Sequence, residues 1–243
     1  MTNSKRLDTS TQHDRAPDER RGEALMRRMH DQIHADKPAW RGWLHFIALC
    51  VAVPAVLALI WAASGGMVRV AAGVYGASVI GLFGASSAYH LLGRTSETRQ
   101  WLRKLDHSMI FVLIAGTYTP IISLVLPATW SVPLLIVIWA AAATGVLLKV
   151  TTLTEDGGSG SWLYIVMGWA AVVATPMLLS ELGVMRFSLL IAGGLLYTVG
   201  AVILAKGRPN PSPRLFGYHE VWHSFTIVAG LCHFTLVAML AGG

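Results

Sequence analysis

The sequence predicts an all-α protein: a bundle of seven transmembrane helices with its N-terminus in the cytoplasm and its C-terminus outside. Three observations carry this expectation. The 243 residues are 54% hydrophobic and only 13% charged, with a mean hydropathy of +0.55, whereas a soluble domain carries about 25% charged residues. The apolar residues gather into seven runs, each long enough to cross a hydrocarbon core of about 30 Å as a helix. Lysine and arginine fall on alternate links between those runs, seventeen of the nineteen on one side.

Residues 1–40 read as a polar cytoplasmic tail, separate from a transmembrane domain over 41–243. From Asp18 to His34 the tail has the pattern of an amphipathic helix, with Leu25, Met26, Met29 and Ile33 on a narrow stripe. Arg20, Arg21, Arg27 and Arg28 beside it suit an anionic membrane surface. His30 and His34 are four residues apart but have no further ligands nearby. The tail lacks the apolar core of a cleavable signal peptide, so the first helix is expected to direct insertion.

The seven runs are Trp43–Ala63, Val68–Leu92, Leu105–Leu126, Ser131–Leu148, Trp162–Leu179, Phe187–Ala205 and Gly217–Ala241. Ser64-Gly65-Gly66 separates the first two, Pro127–Ser131 turns the third into the fourth, and Glu155–Gly160 is an acidic, Gly-rich loop. Pro209, Pro211 and Pro213 stiffen the link to the seventh. Pro54, Pro120 and Pro176 predict kinks inside helices, which a bundle tolerates. Cys50 and Cys232 lie in apolar runs and read as small buried hydrophobes.

The basic residues orient the bundle. The tail through Arg41, the link with Arg94, Arg99, Arg103 and Lys104, then Lys149, and the link with Lys206, Arg208 and Arg214 share one side. Only Arg69 and Arg186 fall on the other. Cytoplasmic loops collect positive charge, so the N-terminus is inside, and an odd number of spans puts the C-terminus outside. The net charge of +6 is therefore a topology signal, not a sign of nucleic acid.

Polar side chains within membrane helices are costly and mark functional positions. Here they are His45, His90, Asp106, His107, His219, Glu220, His223 and His233. In His219-Glu220-Val221-Trp222-His223 the two histidines share a helix face about 6 Å apart and can bind one metal ion, for which zinc is the usual guest. The predicted topology brings His90, Asp106, His219 and His223 to one cytoplasmic depth from three separate helices. Each has a plainer role alone: His90 and the histidine pair at the interface, Asp106 as a helix N-cap. Their agreement in depth favours a metal site. Ser86, one turn deeper than His90, is placed to donate to a ligand or a bound water, or to serve as packing between helices. His107 points about 100° away from Asp106 and is left out. His45 is expected at the interface, and His233 is expected to be buried and hydrogen-bonded, about 15 Å from His223.

At these positions the chain resembles the hemolysin III / progestin and adipoQ receptor (PAQR) family, within a broader group of seven-helix membrane hydrolases that includes the alkaline ceramidases. The resemblance rests on Ser86-Ser87-Ala88-Tyr89-His90, Lys104-Leu105-Asp106-His107 and His219-Glu220-Val221-Trp222-His223, and covers roughly Trp40 to the C-terminus. It implies zinc held by His90, His219 and His223, with Asp106 holding a water as fourth ligand and Ser86 in the site.

Three histidines and a water compose a catalytic zinc site. At the cytoplasmic leaflet of the plasma membrane the accessible substrate is a lipid, which leads to a zinc-dependent hydrolase of lipid amides or esters acting in membrane lipid homeostasis. The alternative is a sensor or regulator of membrane state with structural zinc. A pore-forming haemolysin fits less well, because no helix carries a continuous polar stripe. The His-Glu-x-x-His spacing also matches metalloproteases, but Glu220 points about 100° off the histidine face and receives no catalytic role.

Overall fold

The computed structural model describes residues 38–153 and 161–242. Its elements in chain order are α1 (Trp43–Ala62), α2 (Gly66–Leu92), α3 (Ser96–Val125), α4 (Ala128–Thr152), α5 (Trp162–Gly168), a 3-10 segment (Ala170–Ala174), α6 (Thr175–Lys206) and α7 (Tyr218–Ala241). The fold is all-helical: the described residues contain no β-strand, and six of their helical stretches are long and apolar enough to cross a membrane. The expected tail helix, with His30 and His34, and the Glu155–Gly160 loop lie outside the described residues.

In hydrocarbon a spanning segment must satisfy its own backbone, so long apolar runs have little choice but to be helical. Their outer faces are apolar as well. Val51, Leu57 and Trp61 on α1 and Val132, Ile136 and Leu147 on α4 are all exposed, as a lipid-facing surface requires. Cys50 shares that exposed face and is not buried; Cys232 is half-buried, and both thiols are free.

The core is organised around α3, which is the most enclosed of the long helices. On one side Phe111 and Ile121 pack with Ile138, Leu178 and Leu236. On the other, Leu113 joins Leu59, Tyr75, Leu82 and Val237. Helix α1 lies along α2, α6 lies along α7, and α7 touches α1, α2 and α3.

The start of α3 and the place of Pro176 also depart from the sequence expectation. Helix α3 starts at Ser96, not at Leu105, because Thr95 caps it by accepting from the Thr98 amide at 3.2 Å. The basic run Arg99–Lys104 is therefore helical, and Asp106 lies well inside the helix where it cannot be an N-cap. Pro176 falls in the first turn of α6, where its missing N–H costs nothing, directly after the 3-10 segment that interrupts the helical path. Pro54 and Pro120 do lie inside helices, as does Pro133.

Gly183 interrupts α6 with φ 70° and ψ 166°, between the two runs expected to end at Leu179 and begin at Phe187. That backbone region is open essentially to glycine alone. A Cβ at Gly183 would meet no atom within 4 Å, so the cost of a side chain there is purely conformational. Gly183→Ala should destabilise the protein by about 1–3 kcal/mol, read as a lower thermal unfolding midpoint in detergent. An unchanged midpoint would mean that this break is not required by the fold.

Candidate metal centre

His90 sits in the last turn of α2, and His219 and His223 sit in the first two turns of α7. One ring nitrogen from each falls within 4.8 Å of the others. His219 Nε2 is 3.2 Å from His90 Nε2, a separation at which two imidazole nitrogens share either a proton or a cation. Tetrahedral zinc with Zn–N bonds of about 2.0–2.1 Å holds its ligand nitrogens about 3.3 Å apart. The donor set therefore fits, with the three nitrogens within 4.8 Å of one another. The i,i+4 spacing that predicts the pairing of His219 with His223 places their ring centroids 4.6 Å apart.

Asp106 and Ser86 arrive at the same end of the bundle. Ser86 lies beside the Asp106 carboxylate, and both line a cavity with His219 and His223. The inward extension of α3 makes this possible, since Asp106 projects from a continuous helix. His107, set aside on sequence grounds, lines the same cavity. Its Nδ1 donates to the Arg103 carbonyl at 2.9 Å and lies 3.6 Å from the Asp106 carboxylate, so it borders the site without presenting that nitrogen to it.

His45, expected at the interface, is in the first turn of α1 and is buried by protein. It is 3% exposed, and its ring stacks on His223 with centroids 3.7 Å apart and planes 14° from parallel. The available signal was modest: a lone imidazole in an apolar helix, with nothing to say which way it turned. His233 is buried and hydrogen-bonded as expected, donating from Nε2 to the Leu190 carbonyl at 3.2 Å.

Glu220 is fully buried and faces away from the histidines. One carboxylate oxygen accepts from the Gly217 amide at 2.8 Å, at the start of α7. The other pairs with Nε of Arg41. A metalloprotease base would have to face the ion, so its local partners explain the glutamate without catalysis. Sequence reading assigned Arg41 only to the charge count; the structure makes it the clamp between the approach to α1 and the start of α7. The Trp40 amide adds a bond of 3.3 Å to the Leu215 carbonyl.

The cavity has a volume of about 630 Å³, within the usual range for small-molecule sites. Ser86, Asp106, His219 and His223 are among its polar lining residues. Ile114, Trp169, Leu178, Phe187, Ile191 and Trp222 are among the side chains that line the rest, which suits a hydrocarbon chain.

Gly42, next to Arg41, holds a left-handed backbone with φ 87°. A Cβ there would come within 2.7 Å of His90 Cβ. Gly42→Ala therefore carries about 1–2 kcal/mol of backbone strain as well as a clash against the histidine. Its thermal unfolding midpoint should fall further than that of Gly65→Ala, where a Cβ meets no atom within 4 Å and φ is −175°. Equal midpoints would contradict the close approach.

Residues 33–234 match the family described as Haemolysin-III related. The chain is 34% identical over 187 residues to the Hemolysin-3 homolog of Bacillus subtilis (strain 168), covering 75% of this chain and 84% of that protein. It is 35% identical over 188 residues to Hemolysin-3 of Bacillus cereus, covering 75% and 82% respectively. The three sequence motifs, the apolar helical bundle and this match agree: the chain belongs to the haemolysin-III-related family and is a multi-pass membrane protein.

Proposed function

We propose that this chain is a seven-span plasma-membrane protein with a cytoplasmic N-terminus and an external C-terminus. In this reading it holds one zinc ion on His90, His219 and His223 and hydrolyses a lipid amide or ester in the upkeep of membrane lipids. The observation that carries the reading is the approach of three imidazole nitrogens to within 4.8 Å of one another, two of whose residues, His219 and His223, line a largely apolar cavity. The span count is supported by the stretch Trp162–Lys206, whose 45 residues would extend about 68 Å as one straight helix. That is more than twice a hydrocarbon core of about 30 Å, and Gly183 supplies a break. The orientation is supported by the one-sided distribution of lysine and arginine.

When bound, zinc supplies Lewis acidity and a water whose pKa is lowered towards about 7. The chain's own residues do the rest. Asp106 offers a carboxylate oxygen to accept a proton within the site, and the Ser86 hydroxyl stands beside that carboxylate as a donor to it. The apolar walls hold the acyl chain and exclude water, so the bond to be cleaved is left to the polar lining. A second reading, a membrane-state sensor with structural zinc, is favoured by one observation: His90 and His219 join helices 129 residues apart in sequence.

The two readings separate experimentally. Protein purified without chelators should contain about one zinc per chain, and His90→Ala should lose it. Asp106→Asn should keep the zinc while cleavage of a lipid amide and ester panel falls by at least about a hundredfold. Full function in Asp106→Asn would favour the structural role, and a metal-free wild type would remove both. Glu220→Gln should retain zinc and cleavage with a lower unfolding midpoint, because its carboxylate serves Arg41 and Gly217; loss of cleavage alone would restore the protease-like base.

A further inference from the structure

His107 is the polar group of the cavity that the proposed mechanism leaves without a task. It heads a stripe along α3 that continues through Ile110, Ile114, Thr117 and Ile121, all of which line the cavity. Steps of three and four residues keep side chains on one face of a helix, so His107 turns towards the same space as the rest of the stripe. Its side chain is 29% exposed.

The two ring nitrogens have different surroundings. Nδ1 donates to the Arg103 carbonyl at 2.9 Å. A carbonyl can only accept, so this bond puts the proton of the neutral ring on Nδ1 and the lone pair on Nε2. Nε2 makes no hydrogen bond to any described residue. It is not sealed off either: the buried side-chain atoms without a partner are both nitrogens of His45, Ser108 Oγ and His223 Nδ1. Nε2 therefore keeps contact with open space, as an acceptor of fixed tautomer.

This acceptor is held close to the proposed chemistry. Nδ1 of the same ring is 3.6 Å from the Asp106 carboxylate. The Tyr164 hydroxyl donates to the His107 carbonyl at 2.9 Å, which ties this turn of α3 to α5. Packing alone does not call for such a group, because phenylalanine would cover the same area without a lone pair facing a largely apolar space.

We infer that His107 is a ligand-binding residue whose Nε2 accepts a hydrogen bond from the N–H of a lipid amide held in the cavity. The inference rests on the hydrolase reading for the lipid that occupies this space, and it narrows that reading from amides and esters to amides. An amide N–H gives the lone pair a donor. The ester of the same shape presents an oxygen there, and two facing lone pairs repel.

The test compares N-methyldodecanamide with methyl dodecanoate, which differ by N–H against O, for binding to the full-length protein in one detergent. Zinc content is measured on the same preparations. The amide-to-ester affinity ratio of wild type should exceed that of His107→Phe by on the order of tenfold, with zinc unchanged. His107→Leu, which likewise cannot accept, should match the phenylalanine variant and carries the test if that variant fails to fold. His107→Gln, whose side-chain oxygen still accepts, should recover part of the ratio. Equal ratios in wild type and the two apolar variants, or binding of neither lipid by wild type, would overturn the inference. Loss of zinc in both apolar variants would also overturn it, by tying His107 to the metal centre. A wild type that lacks zinc yet shows the His107-dependent ratio would instead sink the metal reading and leave this one standing.

Discussion

The last turn of α2 and the first turn of α7 meet with His90 Nε2 3.2 Å from His219 Nε2 across 129 residues of chain. Much of the surrounding structure serves that meeting. Gly42 allows the approach to α1 to pass against His90 with no side chain between. Glu220 closes the first turn of α7 through the Gly217 amide and anchors it to Arg41. Such a pair is strongly destabilising to break when buried, though Arg41 retains partial exposure. Three imidazoles crowded into an apolar bundle have no obvious structural benefit of their own. The proposed cation, shared by the three rings, would give one nitrogen of each a partner.

The polar site and the apolar cavity depend on one helix. Helix α3 contributes Asp106 to the site and Ile110, Ile114 and Ile121 to the cavity wall, while the same helix packs into both core clusters. Polar chemistry and space for a hydrocarbon chain are therefore held in fixed relation by one rigid element. A second support comes from Tyr118, whose hydroxyl accepts from the Ala171 amide and donates to the Gly168 carbonyl. It satisfies backbone groups where α5 gives way to the 3-10 segment, the kind of irregular backbone that is tolerated at membrane depth only when protein covers it.

How much of this was legible in the sequence follows from what each signal depends on. Helices were legible because an apolar run in a bilayer has only one economical backbone. His90, His219 and His223 were legible because spacing fixes two of them on one face and charge asymmetry places the third at the same end. The start of α3 was not, because hydropathy ends where the charged residues begin whereas the helix ends at its cap, Thr95. His45 was missed for a different reason. Helix α1 is apolar all round, so no pattern shows which face turns inward. Glu220 was correctly set apart from the histidine face by helix geometry, but its partner Arg41 depends on how the segment before α1 crosses α7. That crossing is tertiary information, carried by Gly42 and Trp40 and not by any motif.

Zinc K-edge X-ray absorption on protein purified without chelators addresses the centre most directly. Three imidazole nitrogens at about 2.0–2.1 Å with one oxygen ligand are expected, and that signature should disappear in His219→Ala. A zinc-free protein, or zinc whose imidazole shell survives the loss of His219, would contradict the assignment of the metal to His90, His219 and His223.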